Sequence, residues 1–277
     1  LFFGASRRLE TMSVDGTLSW MPGPALFLAC RANGAEVATP GGIVRAERVY
    51  LAGGPVATAS ILQRSGLVTG DVELEDSAVF YTAYLNINGP TDDAYEFAST
   101  HLMAFADRPG PGDFQLAIYE ANREYRTRFR EVLRVMPSGL IPDIILRRVN
   151  AGIGFVGPQV SGRLVVKTVP GGRTWVVRRA NPRTRAAARS VVARVGKRLR
   201  ANGVRPVPGA LVVPPPGSGY HVGAGMPLGG SVVDHQGRLR DAPAIHVVDA
   251  SSLPQVWAGS HTFTAMANAH RIARGAE

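Results

Sequence analysis

The pattern that most constrains the fold lies in the last quarter of the chain. An apolar run, Ala244–Val248, predicts a buried strand that ends at Asp249. A loop follows, and the next pattern predicts a helix from Ser260 to about Arg274, before Gly275. A strand that leads through a loop into a helix is a building unit of α/β folds. The sequence therefore predicts that this end of the chain belongs to an α/β domain.

A similar unit is predicted near the beginning. The apolar stretch ERVYLA at 47–52 indicates a strand, Gly53 and Gly54 indicate a tight turn, and a helical pattern follows. Gly66 is expected to end that helix because glycine tolerates the left-handed conformation. Two shorter strands, at 25–30 and 42–46, are expected to precede this unit.

The middle of the chain alternates apolar and polar residues, which favours antiparallel strands, for example at 78–88 and 163–169. Two amphipathic patterns predict long helices, one at 114–135 and one that Asn181 caps and Gly203 ends. We therefore expect a mixed α/β (α+β) protein in three segments. These are part of an α/β domain over 1–70, a second domain with an antiparallel sheet flanked by helices over 71–213, and a return to the first domain over 214–277.

The chain carries a formal charge of +10 from 31 basic residues, of which only Lys167 and Lys197 are lysines. The densest run of arginines is Arg178, Arg179, Arg183, Arg185, Arg189, Arg194, Arg198 and Arg200. It suits either a solvated helix face or a surface that binds phosphate groups. Few aromatic residues interleave with these arginines, which argues against a nucleic-acid partner.

The lone cysteine, Cys30, cannot form an internal disulfide, and no His or Cys pair has the spacing of a structural zinc site. We therefore predict no metal. No apolar run approaches the roughly 18 residues that a membrane span needs. The sequence starts at Leu1 without a signal-peptide pattern, and because an export signal would lie upstream, the cellular location stays open.

Two histidines stand where proton transfer would be possible. His261 lies at the predicted start of the last helix, where the helix dipole lowers the pKa of a histidine and keeps it neutral. His221 lies in a glycine-rich loop that lets the backbone approach a ligand closely. Two neutral histidines facing one hydroxyl group would supply a general base and a hydrogen-bonding partner.

Each of the two also has a structural explanation: His261 as a helix cap and His221 as a packing residue. The other histidines are expected to pack or to face solvent, namely His101, His235, His246 and His270.

The final segment resembles the C-terminal signature of the glucose-methanol-choline (GMC) oxidoreductases. The matching residues are Asp249, Ala250, Ser251, Leu253, Pro254, Thr264, Ala265, Met266 and Ala267. The early strand and glycine turn, from Leu51 to Leu62, and the later Ser65, Gly66 and Leu67 resemble a second signature of that family.

This resemblance implies an FAD-dependent enzyme that oxidises a small-molecule alcohol to a carbonyl compound. It implies that His221 takes the hydroxyl proton and that His261 holds the alkoxide. It also implies that a further set of residues lies near the cofactor: Gly53, Gly54, Asp249, Ala250, Thr262 and Phe263.

Two features depart from the family pattern. The family usually continues the first histidine with Gly-Thr, whereas Val222, Gly223 and Ala224 follow His221 here. No GxGxxG motif follows a strand near the N-terminus, so the loop that binds the cofactor phosphates is not in this chain. We therefore expect the chain to be a C-terminal portion that needs an N-terminal FAD-binding segment as its partner.

Three alternatives remain open at this point. Lyases related to the family use a similar histidine without redox chemistry. A basic binding module would rely on the arginine-rich helix and would show salt-sensitive binding to polyanions. An inactive fragment of an enzyme would keep the fold alone.

Overall fold

The computed structural model describes residues 9, 12–14, 16–89, 100–106, 112–120, 147–168 and 172–275. They form a mixed α/β fold, as predicted, with short strands that are mostly antiparallel. The first strands are β1 (Phe27–Arg31), β2 (Gly34–Thr39), β3 (Gly42–Ala46), β4 (Val49–Leu51), β5 (Val72–Asp76), β6 (Ala78–Asn86), β7 (Thr100–Phe105) and β8 (Phe114–Tyr119). The later strands are β9 (Val149–Val156), β10 (Arg163–Thr168), β11 (Thr174–Arg179), β12 (Val204–Pro206), β13 (Val222–Gly223), β14 (Arg238–Leu239) and β15 (Ala242–Val247). The helices are α1 (Pro55–Arg64), α2 (Thr184–Leu199) and α3 (Thr262–Arg274).

The described strands form four sheets, with the orders β1-β2-β3, β11-β10-β5-β13, β12-β6-β9-β8-β7 and β14-β15-β4. In the last sheet β15 and β4 run parallel, with Val247 opposite Leu51. This pairing brings together two strands that are far apart in the sequence. Strand β15 of the C-terminal segment therefore lies beside β4.

One apolar core lies around α1. It contains the fully buried Leu62 of that helix, Leu74 of β5 and Ile245 of β15. Gly66 has a φ of 68°, so it takes the left-handed conformation that was predicted to end α1. The small β1-β2-β3 sheet packs against this core through Leu28 and Ala35.

A second core lies between the five-stranded sheet and α2. Phe80, Leu116 and Val191 are among its buried residues. The arginines of α2, such as Arg185 and Arg189, are exposed on the opposite side of the helix. This arrangement agrees with a solvated helix face.

The helix predicted at 114–135 is wrong over its first residues. They form strand β8, in which Phe114, Leu116 and Ile118 alternate on the buried face of the sheet. Pairing with β9 on one side and β7 on the other overrides the local helical pattern. The rest of that prediction, 121–135, lies outside the described residues.

Two predicted helix starts are shifted. Helix α2 begins at Thr184 rather than directly after Asn181, and Asn181 Oδ1 accepts a hydrogen bond from the Arg183 amide at 2.9 Å in the turn before the helix. The last helix begins at Thr262 rather than at Ser260. Among the described helices, none is long and apolar enough to cross a membrane.

Candidate active site

The parallel pair β4–β15 brings two of the predicted cofactor-binding segments together. Gly53 and Gly54 follow β4, and Asp249 and Ala250 follow β15. Because the strands are parallel, both segments lie at the same edge of the sheet. In α/β sheets this edge, beyond the carboxyl ends of the strands, is where ligands commonly bind.

The Asp249 carboxylate holds this edge together. Its Oδ2 accepts hydrogen bonds from the Gly54 amide at 2.9 Å and from the Thr58 hydroxyl at 2.6 Å. Its Oδ1 accepts a third from the Ser251 amide at 2.9 Å. A carboxylate at the start of α1 is stabilised by the helix dipole. Asp249 thus binds the chain itself and fixes the Gly54 turn.

The Gly54 turn leaves space in front of the backbone. Gly54 has a φ of 90°, and a Cβ built on it would meet no heavy atom within 4 Å. A glycine with open space beside it allows a ligand to approach the main chain closely. The predicted cofactor-binding edge therefore fits a bound group.

His221 directly precedes β13, which pairs with β5. Its carbonyl accepts a hydrogen bond from the Ser77 amide at 2.9 Å. Beyond β13 the loop is bound to the segment after β15, because the Ala224 amide donates to the Ala250 carbonyl at 2.9 Å. The His221 loop is thereby fixed both to β5 and to the predicted cofactor edge.

His261 occupies the N-cap position of α3, but its side chain makes no capping hydrogen bond. The residue is only 7% exposed. Two carboxylates hold the loop that precedes it: Glu75 accepts from the Val256 amide at 3.0 Å and Asp113 from the Ala258 amide at 3.1 Å. The structure therefore does not support capping as the reason for His261, and it shows how the loop is anchored.

The two predicted catalytic histidines lie side by side. Their ring centroids are 5.3 Å apart, with an interplanar angle of 64°. Phe155 of β9 stacks on His221 with centroids 4.2 Å apart. Within the described residues, the Nδ1 atoms of both histidines are buried and lack a hydrogen-bond partner. Buried nitrogens without protein partners are available to a bound ligand.

The environment keeps both histidines neutral. Burial, together with a smaller effect of the neighbouring His261, lowers the pKa of His221 to about 4, and a backbone hydrogen bond with Ala258 partly opposes this shift. Burial also lowers the pKa of His261. A neutral imidazole has one nitrogen that accepts a proton and one N–H that donates a hydrogen bond. The pair can therefore act on one hydroxyl group from two sides.

Thr262 and Phe263 form the first turn of α3. The first N–H groups of a helix have no partner within the helix. Both residues are exposed, and Phe263 has 84% of its surface exposed. The predicted cofactor-binding residues at this position thus present backbone donors next to His261.

The remaining histidines are placed apart from the pair. His246 is buried in β15, where its ring lies 4.9 Å from that of Tyr50, and burial lowers its pKa. His235 and His270 are exposed. The expectation that these three pack or face solvent is confirmed, whereas the side chain of His101 lies outside the described residues.

Three neighbours of the site carried no sequence signal for their roles. The stacking of Phe155 on His221 arises from strand pairing that the sequence does not show. Glu75 and Asp113 contact residues more than 140 positions away in the chain, with separations of 181 and 145 residues.

The sequence around the two histidines is similar to a known protein family. Residues 178–269, which include both histidines and the beginning of α3, match the family model described as GMC oxidoreductase. This segment of the chain is therefore similar to the GMC oxidoreductases. The resemblance seen in the sequence is thereby confirmed, and the GMC family is a family of oxidoreductases.

The fold is similar to that of solved structures. The crystal structure of pyridoxine 4-oxidase from Mesorbium loti matches with a TM-score of 0.61 and 18% sequence identity. The match covers 91% of this chain and 56% of that one, so this chain spans little more than half of the solved protein's length. At this identity the likeness concerns the fold alone. No curated protein matches the sequence.

Proposed function

We propose that the chain is the catalytic C-terminal part of an FAD-dependent enzyme that oxidises the CH–OH group of a small-molecule alcohol to a carbonyl. In this proposal 1–70 and 214–277 belong to the FAD-binding domain and 71–213 form the substrate domain. The GMC family match and the geometry of the histidine pair support the proposal.

The observation that carries the proposal is the pair itself. His221 and His261 are in ring contact, and their buried Nδ1 atoms have no partner within the described residues. Leaving a buried polar atom without a hydrogen bond costs about 1–3 kcal/mol, so such atoms commonly mark sites of ligand contact. A substrate hydroxyl group between the rings would supply a hydrogen-bond partner for both Nδ1 atoms.

In the proposed reaction His221 accepts the hydroxyl proton as the general base. His261 donates a hydrogen bond from its imidazole N–H to the substrate oxygen and stabilises the alkoxide as charge develops. Phe155 stacks on His221, and burial lowers the pKa of both histidines, so both rings are neutral before the proton moves. When bound, FAD supplies the acceptor for the hydride that leaves the alcohol carbon.

The chain offers two groups of residues to hold FAD. The amides of Thr262 and Phe263 would bind an electron-rich edge of the flavin at the start of α3. The turn at Gly53 and Gly54, held by Asp249 and followed across the edge by Ala250, would lie against another part of the cofactor. The phosphate-binding motif is not among these residues, so an N-terminal segment is proposed as the partner that completes the site.

Visible absorption of the purified chain mixed with FAD tests the proposal. Bound flavin that bleaches when alcohols are added without oxygen would support it, and bound flavin that no alcohol bleaches would contradict it. If the chain binds no flavin, the same measurement is made on the protein extended by its N-terminal segment. Failure of the extended, flavin-loaded protein to oxidise any alcohol would then overturn the proposal.

A further inference from the structure

The five-stranded sheet presents a second face next to the histidine pair. Successive residues of a strand point to opposite faces, so the residues next to the core positions Phe80 and Leu116 point away from α2. The register β6–β9–β8 aligns these residues in rows across the sheet. The first row is Val79, Phe155 and Gln115, and the second row is Tyr81, Ile153 and Ala117.

The first row lies beneath the loops of the two histidines. Phe155 stacks on His221 at 4.2 Å between ring centroids. A Cβ on Gly219 would lie 3.4 Å from Phe155 Cε1 and from Val79 Cβ. On the other side, a Cβ on Gly259 would lie 3.0 Å from Gln115 Oε1. Both histidine loops therefore pack directly on this row.

The second row continues from the first and is partly open. Tyr81 has 42% of its surface exposed, and Ile153 is half-buried. Strand β7 extends the same face with Met103, which pairs with Ala117 and is 48% exposed. The apolar surface thus runs outward from the histidine pair without a break in the sheet.

On the described strands β6, β8 and β9 this face carries no ionised group; its alternate residues are Val79, Tyr81, Ala83, Leu85, Gln115, Ala117, Tyr119, Val149, Ala151, Ile153 and Phe155. The exposed Arg205 of β12 pairs with Leu85 and lies on the same face, at the end of β6 away from the first row. The carboxylates at its margin, Glu75 and Asp113, accept backbone hydrogen bonds from the loop before His261. A substrate with a charge or with many hydroxyl groups would lose bound water on these strands and would find few hydrogen-bonding groups among their residues. Binding there would therefore cost free energy.

We infer that the sheet face formed by Tyr81, Ile153, Phe155 and Gln115 binds the body of the substrate, and that the substrate is an uncharged alcohol with an aromatic or aliphatic body. This inference rests on the proposed function. Aromatic side chains such as Phe155 and Tyr81 favour a flat apolar partner by stacking and area burial. Gln115 supplies one amide for a single further polar group on that partner.

Oxidation of three alcohols by the flavin-loaded protein tests the inference. Benzyl alcohol is the neutral aromatic probe, 4-(hydroxymethyl)benzoate is its anionic analogue, and glucose is the probe with many hydroxyl groups. We expect kcat/KM for benzyl alcohol to exceed those for the other two by about a hundredfold, which corresponds to roughly 3 kcal/mol. Equal or faster oxidation of the benzoate or of glucose would overturn the inference while leaving the proposed function intact.

Single-residue variants then test whether the substrate binds to this sheet face. Ile153→Lys should reduce the preference for benzyl alcohol over the benzoate about tenfold or more, because the new cation faces the bound ring. Tyr81→Lys should shift it in the same direction, and since Tyr81 is partly exposed this variant keeps the test valid if Ile153→Lys fails to fold. Val176→Lys on the exposed strand β11 is the matched control and should leave the preference unchanged.

A binding measurement separates the two proposals. If FAD is bound and no alcohol is oxidised, the proposed function fails, and saturation-transfer NMR with benzyl alcohol then tests the surface alone. Binding that Tyr81→Lys weakens and Val176→Lys does not would support the inference. No binding would overturn it, as would a change of oligomeric state in Tyr81→Lys without a change in benzyl alcohol binding, because the face would then be covered by another copy of the chain.

Discussion

The Asp249 carboxylate accepts a hydrogen bond of 2.9 Å from the Gly54 amide, which lies 195 residues earlier in the chain. The same oxygen accepts the Thr58 hydroxyl of α1. One side chain therefore fixes the end of β15 to the start of α1. This contact sets the edge at which the proposed cofactor-binding residues meet.

Asp249→Asn is expected to lower the free energy of unfolding by about 1–3 kcal/mol, because an amide cannot accept all three hydrogen bonds and has no charge to interact with the start of α1. Denaturant titration measures the change. Asp241→Asn, at an exposed position, is the control and should stay within about 0.5 kcal/mol of the parent chain. Equal stability of the two variants would contradict the role of Asp249.

His221→Gln should reduce turnover of the flavin-loaded enzyme by roughly a hundredfold or more, because glutamine occupies a similar space but cannot accept the proton. Flavin absorption should be retained. His270→Gln, on the exposed side of α3, is the matched control and should keep full turnover. If both variants turn over at the parent rate, His221 is not the base.

The protonation of His221 should be displaced to acid pH. Burial lowers its pKa from 6.5 to about 4, so the ring stays neutral at neutral pH and gains its proton only near pH 4. The NMR signal of its imidazole should titrate with a midpoint near 4. A midpoint near 6.5 would show that the ring is solvated like a free histidine.

The same shift predicts acid lability. The unfolded chain binds a proton at His221 below about pH 6.5, where the folded chain does not, so folding becomes less favourable as pH falls from there toward 4. The free energy of unfolding of the parent chain should fall over this range. In His221→Gln the fall should be smaller, and an identical pH dependence would contradict the assignment.

Gly154→Ala should destabilise the chain by about 1–3 kcal/mol. A Cβ at this position would collide with the ring of Phe80, which is fully buried against α2. Thermal or denaturant unfolding measures the effect. Gly41→Ala, where a Cβ would come no closer than 3.7 Å to Thr39 Oγ1, is the control. If Gly154→Ala left the free energy of unfolding unchanged, the second core would be loosely packed.

Ala224→Gly should stabilise the chain by about 0.5–1 kcal/mol. Ala224 has a φ of 54°, a left-handed conformation that costs a residue with a Cβ about 1–2 kcal/mol, more than the added flexibility of glycine in the unfolded chain. Denaturant titration checks the sign. Ala244→Gly, within strand β15, should instead lower the free energy of unfolding. If both variants changed the free energy of unfolding in the same direction, Ala224 would not be strained.

The sequence by itself determined the local elements that carry the site. The apolar run of β15, the glycine turn after β4 and the amphipathic pattern of α3 each express a local preference of neighbouring residues, and each was predicted close to its position. The candidate histidines were also visible, because their glycine-rich and helix-start settings are local. The strand at Phe114–Tyr119 was missed because its preference for β8 comes from pairing with β7 and β9.

Only the tertiary structure decided how those elements meet. The 5.3 Å contact of His221 with His261, the stacking of Phe155 and the anchoring by Glu75 and Asp113 join residues from distant parts of the chain. Burial, and with it the lowered pKa values, arises only when those parts pack together. Local patterns record conformational preference, whereas desolvation and contact depend on the whole fold.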